Sequence, residues 1–502
     1  MNEYDAIIIG AGVGGLFSAL KLSSAGKKVL LIEKQPIPGG FATTFSRKGF
    51  IFESSLHCVD AMGEDGEMRE FLEESGLDKE VNFIELNDFA RIIYPEHDFV
   101  ADFNKDNLIT FLKKSFPQEI KNLDKLFCEF ESFYVQFDRF YNSKLPEWLN
   151  FIICPFLYPR IIKMSLLTVE QLIGRYIKDE KLKGIIGDIW RFAGLPPNRL
   201  SAFYFLLVFQ GYFYNPAVYI RGGFARLFSA IVKKIKENGS EVKFNTTVQK
   251  IITDKNTAAA VVTQNQEEFK ARVIISNANA IDTLTVLLDS EEIKANYRPK
   301  LSSLEKSISA FQVYLGLSIP PRELGMEHAL YSINTTYNHD DSFNYSRCGN
   351  YDLCGIELVD HTRIDPGLVP QGKGTLLIMT LDNYANWSDL KEEEYQRKKN
   401  EVAIKLIARA EEYLPGLSQH IEVMEAATPK TMARYGLSPE GAIYGFAQTV
   451  GQSSINRLGQ KTKIKGLILA GAWTRPGAGV HACFVSGIDA ADLALRQLKF
   501  SP

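Results

Sequence analysis

The sequence predicts an α/β protein, in which helices cover a mostly parallel sheet and a second domain is inserted. Near the N-terminus, the segment YDAIIIGAGVGGLFSAL reads as an apolar strand, a glycine-rich turn and a helix. A second strand, turn and helix follow near the C-terminus in GLILAGAWTRPGAGVHACFVSGIDAADLAL. The chain has 502 residues, more than one ordinary compact core holds. We therefore expect two domains, one of them built from both ends of the chain.

The N-terminal turn has the pattern of a dinucleotide site. A buried strand over 4–9 leads directly into the turn, and a helix follows up to Ala25. Gly10 allows the tight turn, Gly12 lets a pyrophosphate approach the backbone, and Gly15 lets the helix pack closely on the strand. The predicted phosphate-binding turn consists of Gly10, Ala11, Gly12, Val13, Gly14 and Gly15.

The second strand, in KVLLIEK, supplies the acid that such a site needs. Glu33 ends this strand 18 residues after Gly15, where a carboxylate accepts hydrogen bonds from ribose hydroxyls. No arginine follows it to receive a 2′-phosphate, so FAD or NAD is favoured over NADP. We assign Glu33 and its neighbour Lys34 to the cofactor site.

A second glycine pair decides between FAD and NAD. Gly39 and Gly40 follow the acid by six residues and lead through a hairpin-like stretch to GFIFESSLH. This resembles the double-glycine extension of large FAD-dependent oxidoreductases, which a pure NAD domain does not need. The sequence departs from that pattern at Phe41, where many relatives have arginine, and at Glu53, where many have aspartate.

The C-terminal turn would complete the FAD site. In the same superfamily, the strand GLILAGAW and the helix after RPGAGVHA cover the ribityl chain and the flavin ring. A positive helix end there would stabilise charge on a reduced ring, and it would also depress the pKa of His481 and favour the neutral imidazole. The predicted contacts are Gly471, Ala472, Gly479, Val480 and His481.

Two middle segments extend the likeness. YIRGGFARLFSAIVKKIKENGSEVKFNTTVQKI predicts a helix over 224–237 and strands at 241–245 and near Val248. RVIISNANA, at 272–280, matches a strand that re-enters the cofactor domain. With both ends, these motifs make the chain resemble the phytoene desaturase, carotenoid isomerase and retinol saturase group of flavoproteins.

The resemblance implies a Rossmann-like FAD-binding domain of the glutathione reductase type with an inserted α+β substrate domain. Val248 would touch the adenine side of FAD. The substrate would be a long apolar polyene or isoprenoid lipid, and the reaction a desaturation, a saturation or a cis-trans isomerisation. The FAD domain would comprise 1–85, 215–290 and 430–502, and the substrate domain 86–214 and 291–429.

Three aromatic and apolar stretches lie in the predicted substrate domain or at its edge. One stretch has aromatic residues at helical spacing, a stripe that favours a helix in the core. The segment 199–216 could line an apolar tunnel. The segment 145–167 mixes aliphatic, aromatic and basic residues and suits a membrane interface, or else a core connection broken by prolines. The stripe consists of Phe127, Phe130, Tyr134, Phe137 and Tyr141.

Composition excludes several classes of protein. There are 57 basic and 60 acidic residues, so we expect no nucleic-acid partner. The six cysteines lack metal-ligand spacing, so we expect no metal site and a cytoplasmic location. The longest apolar stretches are shorter than a membrane-spanning helix, which leaves peripheral membrane contact.

Catalytic candidates are few, because a flavin exchanges a hydride without a side-chain acid. His57 and Tyr444 are the candidates for moving a proton, although His57 could equally be a polar residue satisfied by a nearby carbonyl. A flavin amine oxidase and a prenyl-binding chaperone on a related fold are the alternative functions. The reaction direction and the electron acceptor or donor stay open.

Overall fold

The computed structural model describes residues 3–60, 62–63, 66–86, 90–101, 104–143, 145, 147–215 and 217–500. The strands are β1 (Glu3–Ile9), β2 (Val29–Ile32), β3 (Thr44–Arg47), β4 (Phe50–Glu53), β5 (Phe83–Glu85), β6 (Ala90–Ile93), β7 (Asp98–Ala101), β8 (Val218–Ile220), β9 (Glu241–Lys243), β10 (Val248–Asp254), β11 (Thr257–Thr263), β12 (Glu268–Ser276), β13 (Ser309–Leu317), β14 (Leu330–Ile333), β15 (Ile356–Val359), β16 (Gly374–Asp382), β17 (Ile421–Ala427) and β18 (Leu467–Leu469). The helices are α1 (Val13–Ser24), α2 (Glu67–Glu74), α3 (Lys105–Ser115), α4 (Ile120–Tyr141), α5 (Glu147–Leu157), α6 (Pro159–Ser165), α7 (Val169–Ile173), α8 (Glu180–Gly187), α9 (Ala202–Phe213), α10 (Phe224–Glu237), α11 (Ala280–Asp282), α12 (Glu291–Ser302), α13 (His339–Arg347), α14 (His361–Ile364), α15 (Glu392–Glu411), α16 (Pro429–Gly436) and α17 (Val480–Phe500).

The first sheet joins the two ends of the chain. Its order is β10, β11, β12, β1, β2 and β9, with β18 also paired to β12. β1 runs parallel to β12 and β2, and β18 runs parallel to β12. Helices cover the sheet, so β1 is apolar on both faces, and Ile7 and Ile8 are fully buried. The rings of Phe17 in α1 and Phe484 in α17 lie 4.9 Å apart, which ties the two terminal segments together.

The second sheet is mixed and belongs to the inserted part of the chain. Its order is β17, β13, β16, β15, β14, β6 and β7, and every pairing is antiparallel except that of β14 with β6. One face packs on α15, where Phe311 and Val313 join an apolar cluster with Leu406. Because side chains alternate along a strand, Gln312 and Tyr314 point to the opposite face, which borders a large cavity.

The helices α3 to α9 form a helical layer, of which α4 and α9 line that cavity. The predicted aromatic stripe lies on α4, and it divides in two. Phe127, Phe130 and Tyr134 are buried, and the ring of Phe130 lies 5.4 Å from that of Phe209 in α9. Farther along, Phe137 and Tyr141 line the cavity. The stripe is therefore core in its first half and cavity wall in its second.

The predicted membrane-interface segment forms α5 and α6 and presents large apolar side chains to solvent. Phe156 keeps 83% of its surface exposed, and Ile152, Leu157 and Leu166 are also exposed. The basic residues Arg160 and Lys163 both form ion pairs with the buried Glu129, with Lys163 Nζ 2.6 Å from Oε1. Apolar side chains rather than free basic ones therefore characterise this surface. Lys144, Pro146 and the side chains of Trp148 and Phe151 lie outside the described residues.

No helix in the described part of the chain is long and apolar enough to cross a membrane.

Candidate functional site

A cavity of about 1420 Å³ extends from the N-terminal glycine turn to the inner face of the second sheet. Sites for one small molecule usually measure about 300–1,000 Å³, so this cavity has room for more than one ligand. Its wall includes these predicted cofactor residues: Gly10, Gly12, Val13, Gly14, Glu33, Lys34, Gly39, Gly40, Phe41, Val248, Ala472, Gly479, Val480 and His481.

The glycine turn leaves the first backbone N–H groups of α1 open to the cavity. Gly12 caps the helix without any side-chain hydrogen bond, and the helix begins at Val13. A Cβ atom on Gly12 would lie 2.8 Å from Asn277 Nδ2, and one on Gly14 would lie 2.7 Å from Asn277 Oδ1. The glycines therefore keep a narrow cradle free at a positive helix end, as a pyrophosphate requires.

Gly15 and Gly471 shape the cradle without lining it. A Cβ atom on Gly15 would overlap the carbonyl oxygen of Gly10, so this glycine permits the close contact between helix and strand. Gly471 donates its N–H to Ser486 Oγ at 3.0 Å and has a φ of 87°, which disfavours other residues.

Glu33 is fixed at the end of β2 by the backbone around it. Oε2 accepts from the N–H of Ala11 at 2.6 Å, and Oε1 accepts from the N–H of Gln35 at 2.7 Å. Burial raises the pKa of Glu33, and these two N–H groups partly offset that rise. The carboxylate keeps further lone pairs for ligand hydroxyls.

Phe41, the residue that stands where many relatives have arginine, lies in the double-glycine loop. Its ring packs where a side chain at Gly436 would otherwise lie, and its carbonyl accepts from Ser54 Oγ at 2.6 Å. Gly39 donates its N–H to the Ala11 carbonyl at 2.8 Å, so this loop is bonded directly to the glycine turn. Position 41 thus contributes apolar packing instead of charge.

His481 differs from its prediction. It lies in the first turn of α17, but its Nε2 is 2.6 Å from Glu67 Oε1 and its Nδ1 is 3.6 Å from Asp60 Oδ2. Burial lowers the pKa of His481, but these two carboxylates outweigh burial and raise that pKa to about 10. The prediction of a neutral imidazole was wrong, because the two carboxylates outweigh the effect of the helix end.

His57 lies on the cavity wall after the β3–β4 hairpin and is only 5% exposed. Neither ring nitrogen has a hydrogen-bond partner within the described residues. The nearest charged group is the carboxylate of Glu357, with Oε2 3.6 Å from Nε2. The alternative in which a carbonyl satisfies His57 is therefore not what the structure shows.

Tyr444 also borders the cavity, but its hydroxyl is engaged. It donates to the carbonyl oxygen of Arg191 at 2.9 Å. Burial first, and then the nearby Glu357, raise the pKa of Tyr444 well above its ordinary value. This hydroxyl therefore holds its proton firmly.

Sequence reasoning missed the residues that close the nucleotide end. Asn279 Nδ2 donates to the carbonyl oxygen of Leu437 at 2.7 Å, and Gln35 Nε2 donates to that of Tyr435 at 3.0 Å. Asn277 fills the space between the glycines. The signal was present in RVIISNANA, where two asparagines directly follow a buried strand.

Two open helix N-termini, an acid at the end of β2 and a narrow glycine cradle fit an extended dinucleotide. Gly479 has a φ of 103° and no atom within 4 Å of a Cβ built on it, so the second helix end is also accessible. FAD fits this arrangement, because its pyrophosphate and its flavin ring each need such a helix end.

Comparison with known proteins agrees with that fit. The family model described as "Flavin containing amine oxidoreductase" matches residues 13–495. The chain is 27% identical to prolycopene isomerase of Daucus carota, over 99% of this chain and 81% of that protein. It is 24% identical to 4,4'-diapophytoene desaturase of Methylomonas sp (99% and 96%) and 25% identical to all-trans-retinol 13,14-reductase of Danio rerio (94% and 82%).

Among solved structures, cyclohexylamine oxidase from Brevibacterium oxydans has the same fold, with a TM-score of 0.64 and 15% identity over 99% of this chain and 100% of that one. The predicted α/β fold and the predicted cofactor, FAD, are confirmed. This chain belongs to the family of flavin containing amine oxidoreductases.

Proposed function

We propose that this flavoenzyme acts on a carbon–carbon bond of a long apolar polyene or isoprenoid lipid, by desaturation, saturation or cis-trans isomerisation. The observation that carries the proposal is the part of the cavity whose wall is contributed by α4, α9 and the segments next to them, called here the apolar arm. Its wall is mainly aromatic and aliphatic, as a hydrocarbon chain requires. This wall includes Phe137, Tyr141, Phe192, Tyr204, Leu207, Val208 and Ile443.

The relatives favour this substrate class over an amine. Their names record an isomerisation, a desaturation and a reduction, and all three reactions concern polyenes. The amine oxidase likeness is one of fold, and fold alone does not decide a substrate.

We assign the FAD site to Gly10, Gly12, Val13, Gly14, Gly15, Glu33, Lys34, Gly39, Gly40, Phe41, Val248, Gly471, Ala472, Gly479, Val480 and His481. The predicted division into an FAD part (1–85, 215–290 and 430–502) and a substrate part (86–214 and 291–429) is kept as a proposal. It is supported by the membership of the two large sheets.

When bound, FAD accepts or gives a hydride. The chain's own contribution is to exclude water from the apolar arm, to orient the substrate and to handle a proton. We propose that His57 moves this proton, since its ring borders the cavity and neither of its buried nitrogens is committed to a hydrogen bond within the described residues. Tyr444 would position the substrate by contact, because its hydroxyl is already bonded to the Arg191 carbonyl.

We also propose that α5 and α6 hold the protein at a membrane surface. Asn150 in α5 donates to the Phe140 carbonyl at 3.4 Å, and the ring of Tyr158 lies 5.6 Å from that of Phe140. The next residue of α4, Tyr141, lines the cavity. The exposed apolar surface and this end of the cavity therefore share the end of α4, so a lipid could pass from bilayer to cavity without crossing water.

The test is product analysis under anaerobic conditions. FAD-loaded protein, oxidised in one series and reduced in another, is incubated with polyenes in liposomes, and the products are separated by chromatography. A desaturated product with oxidised protein, a saturated one with reduced protein, or a geometric isomer would support the proposal and name the direction. Turnover of amines with no polyene product would overturn it in favour of an amine oxidase.

A further inference from the structure

A carboxylate in the middle of the second sheet has no explanation in the fold. Glu357 lies on β15, between β14 and β16, and is 3% exposed. Its neighbours Ile356 and Leu358 face the apolar cluster under α15, so Glu357 faces the cavity side. Burying a carboxylate without full pairing is costly, and Oε2 has no hydrogen-bond partner within the described residues. A buried polar atom without a partner therefore calls for an explanation outside the packing of the sheet.

The group that Glu357 faces is His57. Oε2 lies 3.6 Å from Nε2, and both side chains are 95% or more buried. The other histidine nearby, His361, has its ring 6.0 Å from that of His57 and its Nε2 2.8 Å from the Leu56 carbonyl oxygen. Burial lowers the pKa of His361 to about 3, so it stays neutral. Glu357 is therefore the charged partner that the structure provides for His57.

Another acid, three residues from His57 in the sequence, is committed elsewhere. Asp60 is two residues past Cys58 on the same cavity wall, but it pairs with the imidazole of His481, with Oδ2 3.6 Å from Nδ1. Each carboxylate thus has its own histidine, and the two pairs are separate.

A second, small cavity of about 20 Å³ lies behind Glu357. This is room for about one water molecule. Its wall is polar on one side, with Arg191, Ser342 and Ser346. Glu357 thus borders a space in which a water could exchange protons with the carboxylate, and its Oε2 lies 3.6 Å from His57 Nε2.

We propose that Glu357 is the positioning residue for His57, a proposal that rests on the function proposed above. The two atoms, 3.6 Å apart, have to approach by about half an ångström for the carboxylate to accept the Nε2–H. That hydrogen bond would fix the tautomer and leave Nδ1 as the ring nitrogen that exchanges a proton with the substrate. When Nδ1 takes a proton, the negative charge of Glu357 balances the imidazolium, as the buried acid does in other acid–histidine pairs.

The first experiment does not depend on activity. FAD-loaded protein labelled with ¹⁵N-histidine is studied by NMR, and His57→Gln identifies the His57 signals. We expect a protonated Nε2 in the wild type and a mixture of tautomers or the opposite tautomer in Glu357→Gln, with the wild-type pattern restored in Glu357→Asp. Glu53→Gln is the matched control, since Glu53 is an equally buried glutamate whose partners are Tyr219 and Phe224 rather than His57. Unchanged His57 signals in Glu357→Gln would overturn the proposal.

The second experiment is kinetic. Glu357→Gln should lower kcat about 10- to 100-fold with little change in KM, and it should cause no further loss in a His57→Gln background, because groups that act as a unit are not additive. An equal loss in both backgrounds would show that Glu357 is merely structural. If His57→Gln alone keeps full activity, the catalytic role proposed for His57 fails, and the NMR result still decides whether Glu357 orients the ring.

Discussion

At the scale of single residues, the buried carboxylates differ in what surrounds them. Glu33 accepts two backbone N–H groups, and Glu129 has two basic partners. Within the described residues, Glu357 has a single such partner, the imidazole of His57. Since the cost of burial falls with the number of partners, the poorly paired carboxylate is the one that needs a functional reason.

Gly12 offers a direct test of the cofactor cradle. In Gly12→Val the added side chain would collide with Asn277, whose Nδ2 would lie 2.8 Å from Cβ, and would block the pyrophosphate. We expect the dissociation constant of FAD to rise by more than about tenfold, which corresponds to about 1.4 kcal/mol of binding free energy, and the ratio of flavin absorbance to protein absorbance in the purified protein to fall with it. Gly451→Val is the control, because nothing lies within 4 Å of a Cβ atom there. Normal FAD content in Gly12→Val would contradict the assigned cradle.

His481 carries a second prediction. The pKa of His481, about 10, exceeds the ordinary value of 6.5. Its ion pairs therefore stabilise the fold fully below about pH 6.5, as long as the two carboxylates are charged. That contribution is lost as the pH rises through 10. The side chain keeps 30% of its surface exposed, which weakens the pairs. We therefore expect His481→Gln to lose about 1–2 kcal/mol of unfolding free energy at pH 7.

Thermal unfolding of the wild type and His481→Gln across pH 6–11 measures this effect. The difference between the two proteins should shrink above pH 10. A difference that stays constant to pH 11 would mean that the protonated imidazole is not its source.

At the scale of secondary-structure elements, Glu53 connects β4 to the start of α10. Oε1 accepts from the hydroxyl of Tyr219 at 2.8 Å and from the N–H of Phe224 at 3.0 Å, and Gly223 has a φ of 85°. An apolar side chain at position 53 would leave that N–H without a partner. The glutamate found here in place of aspartate is still a carboxylate, and it makes the connection.

The charge of Glu53 gives a third prediction. Burial raises the pKa of Glu53 to about 8, so the folded protein favours the neutral acid. Its contribution is complete below the unfolded value near 4.5 and is lost as the pH rises through 8. Relative to Glu53→Gln, the wild type should lose about 2–5 kcal/mol of unfolding free energy between pH 5 and pH 9.

Urea unfolding at several pH values tests this, with Glu129→Gln as the control. Burial raises the pKa of Glu129, but Lys163 and Arg160 outweigh burial and bring that pKa below its ordinary value. The wild type and Glu129→Gln should therefore differ in unfolding free energy by the same amount at pH 6 and at pH 9. The same pH slope in Glu53→Gln and the wild type would contradict the prediction.

Elements with a local signal could be predicted from the sequence. The helix over 224–237 was predicted with its correct bounds, because a glycine pair precedes it and its apolar residues repeat with the helical period. The strand predicted at 241–245 ends at Lys243, since Asn245 has a φ of 52°.

Contacts between distant residues could not be predicted in the same way. In IELV a single glutamate resembles the solvent side of a strand, and its partner His57 is about 300 positions away. The charge of His481 likewise depends on Glu67 and Asp60, which belong to the other end of the chain. A local sequence pattern indicates which residues of a helix or strand face the core, whereas a pKa depends on neighbours that only the tertiary structure brings together.

At the scale of the whole molecule, one cavity connects three separate parts of the chain. The first sheet contributes the glycine cradle, the second sheet contributes Gln312 and Tyr314, and the helical layer contributes Phe137 and Tyr141. Because the helical layer also carries the exposed apolar surface, membrane contact and access to the cavity would be coupled.

The last prediction concerns that surface. Moving a large apolar side chain from water to hydrocarbon gains about 1.5–3 kcal/mol, so replacing Ile152, Phe156 and Leu157 together with serine should lower liposome binding more than tenfold in a flotation assay. Ile404→Ser is the control, because Ile404 is 62% exposed but lies on α15, on the other side of the second sheet. Since Arg160 and Lys163 are held by Glu129, binding should depend little on anionic lipid or on salt. Wild-type protein that stays in the unbound fraction with both neutral and anionic liposomes would contradict the membrane proposal. If salt abolished the binding, charged residues rather than the apolar surface would be its source.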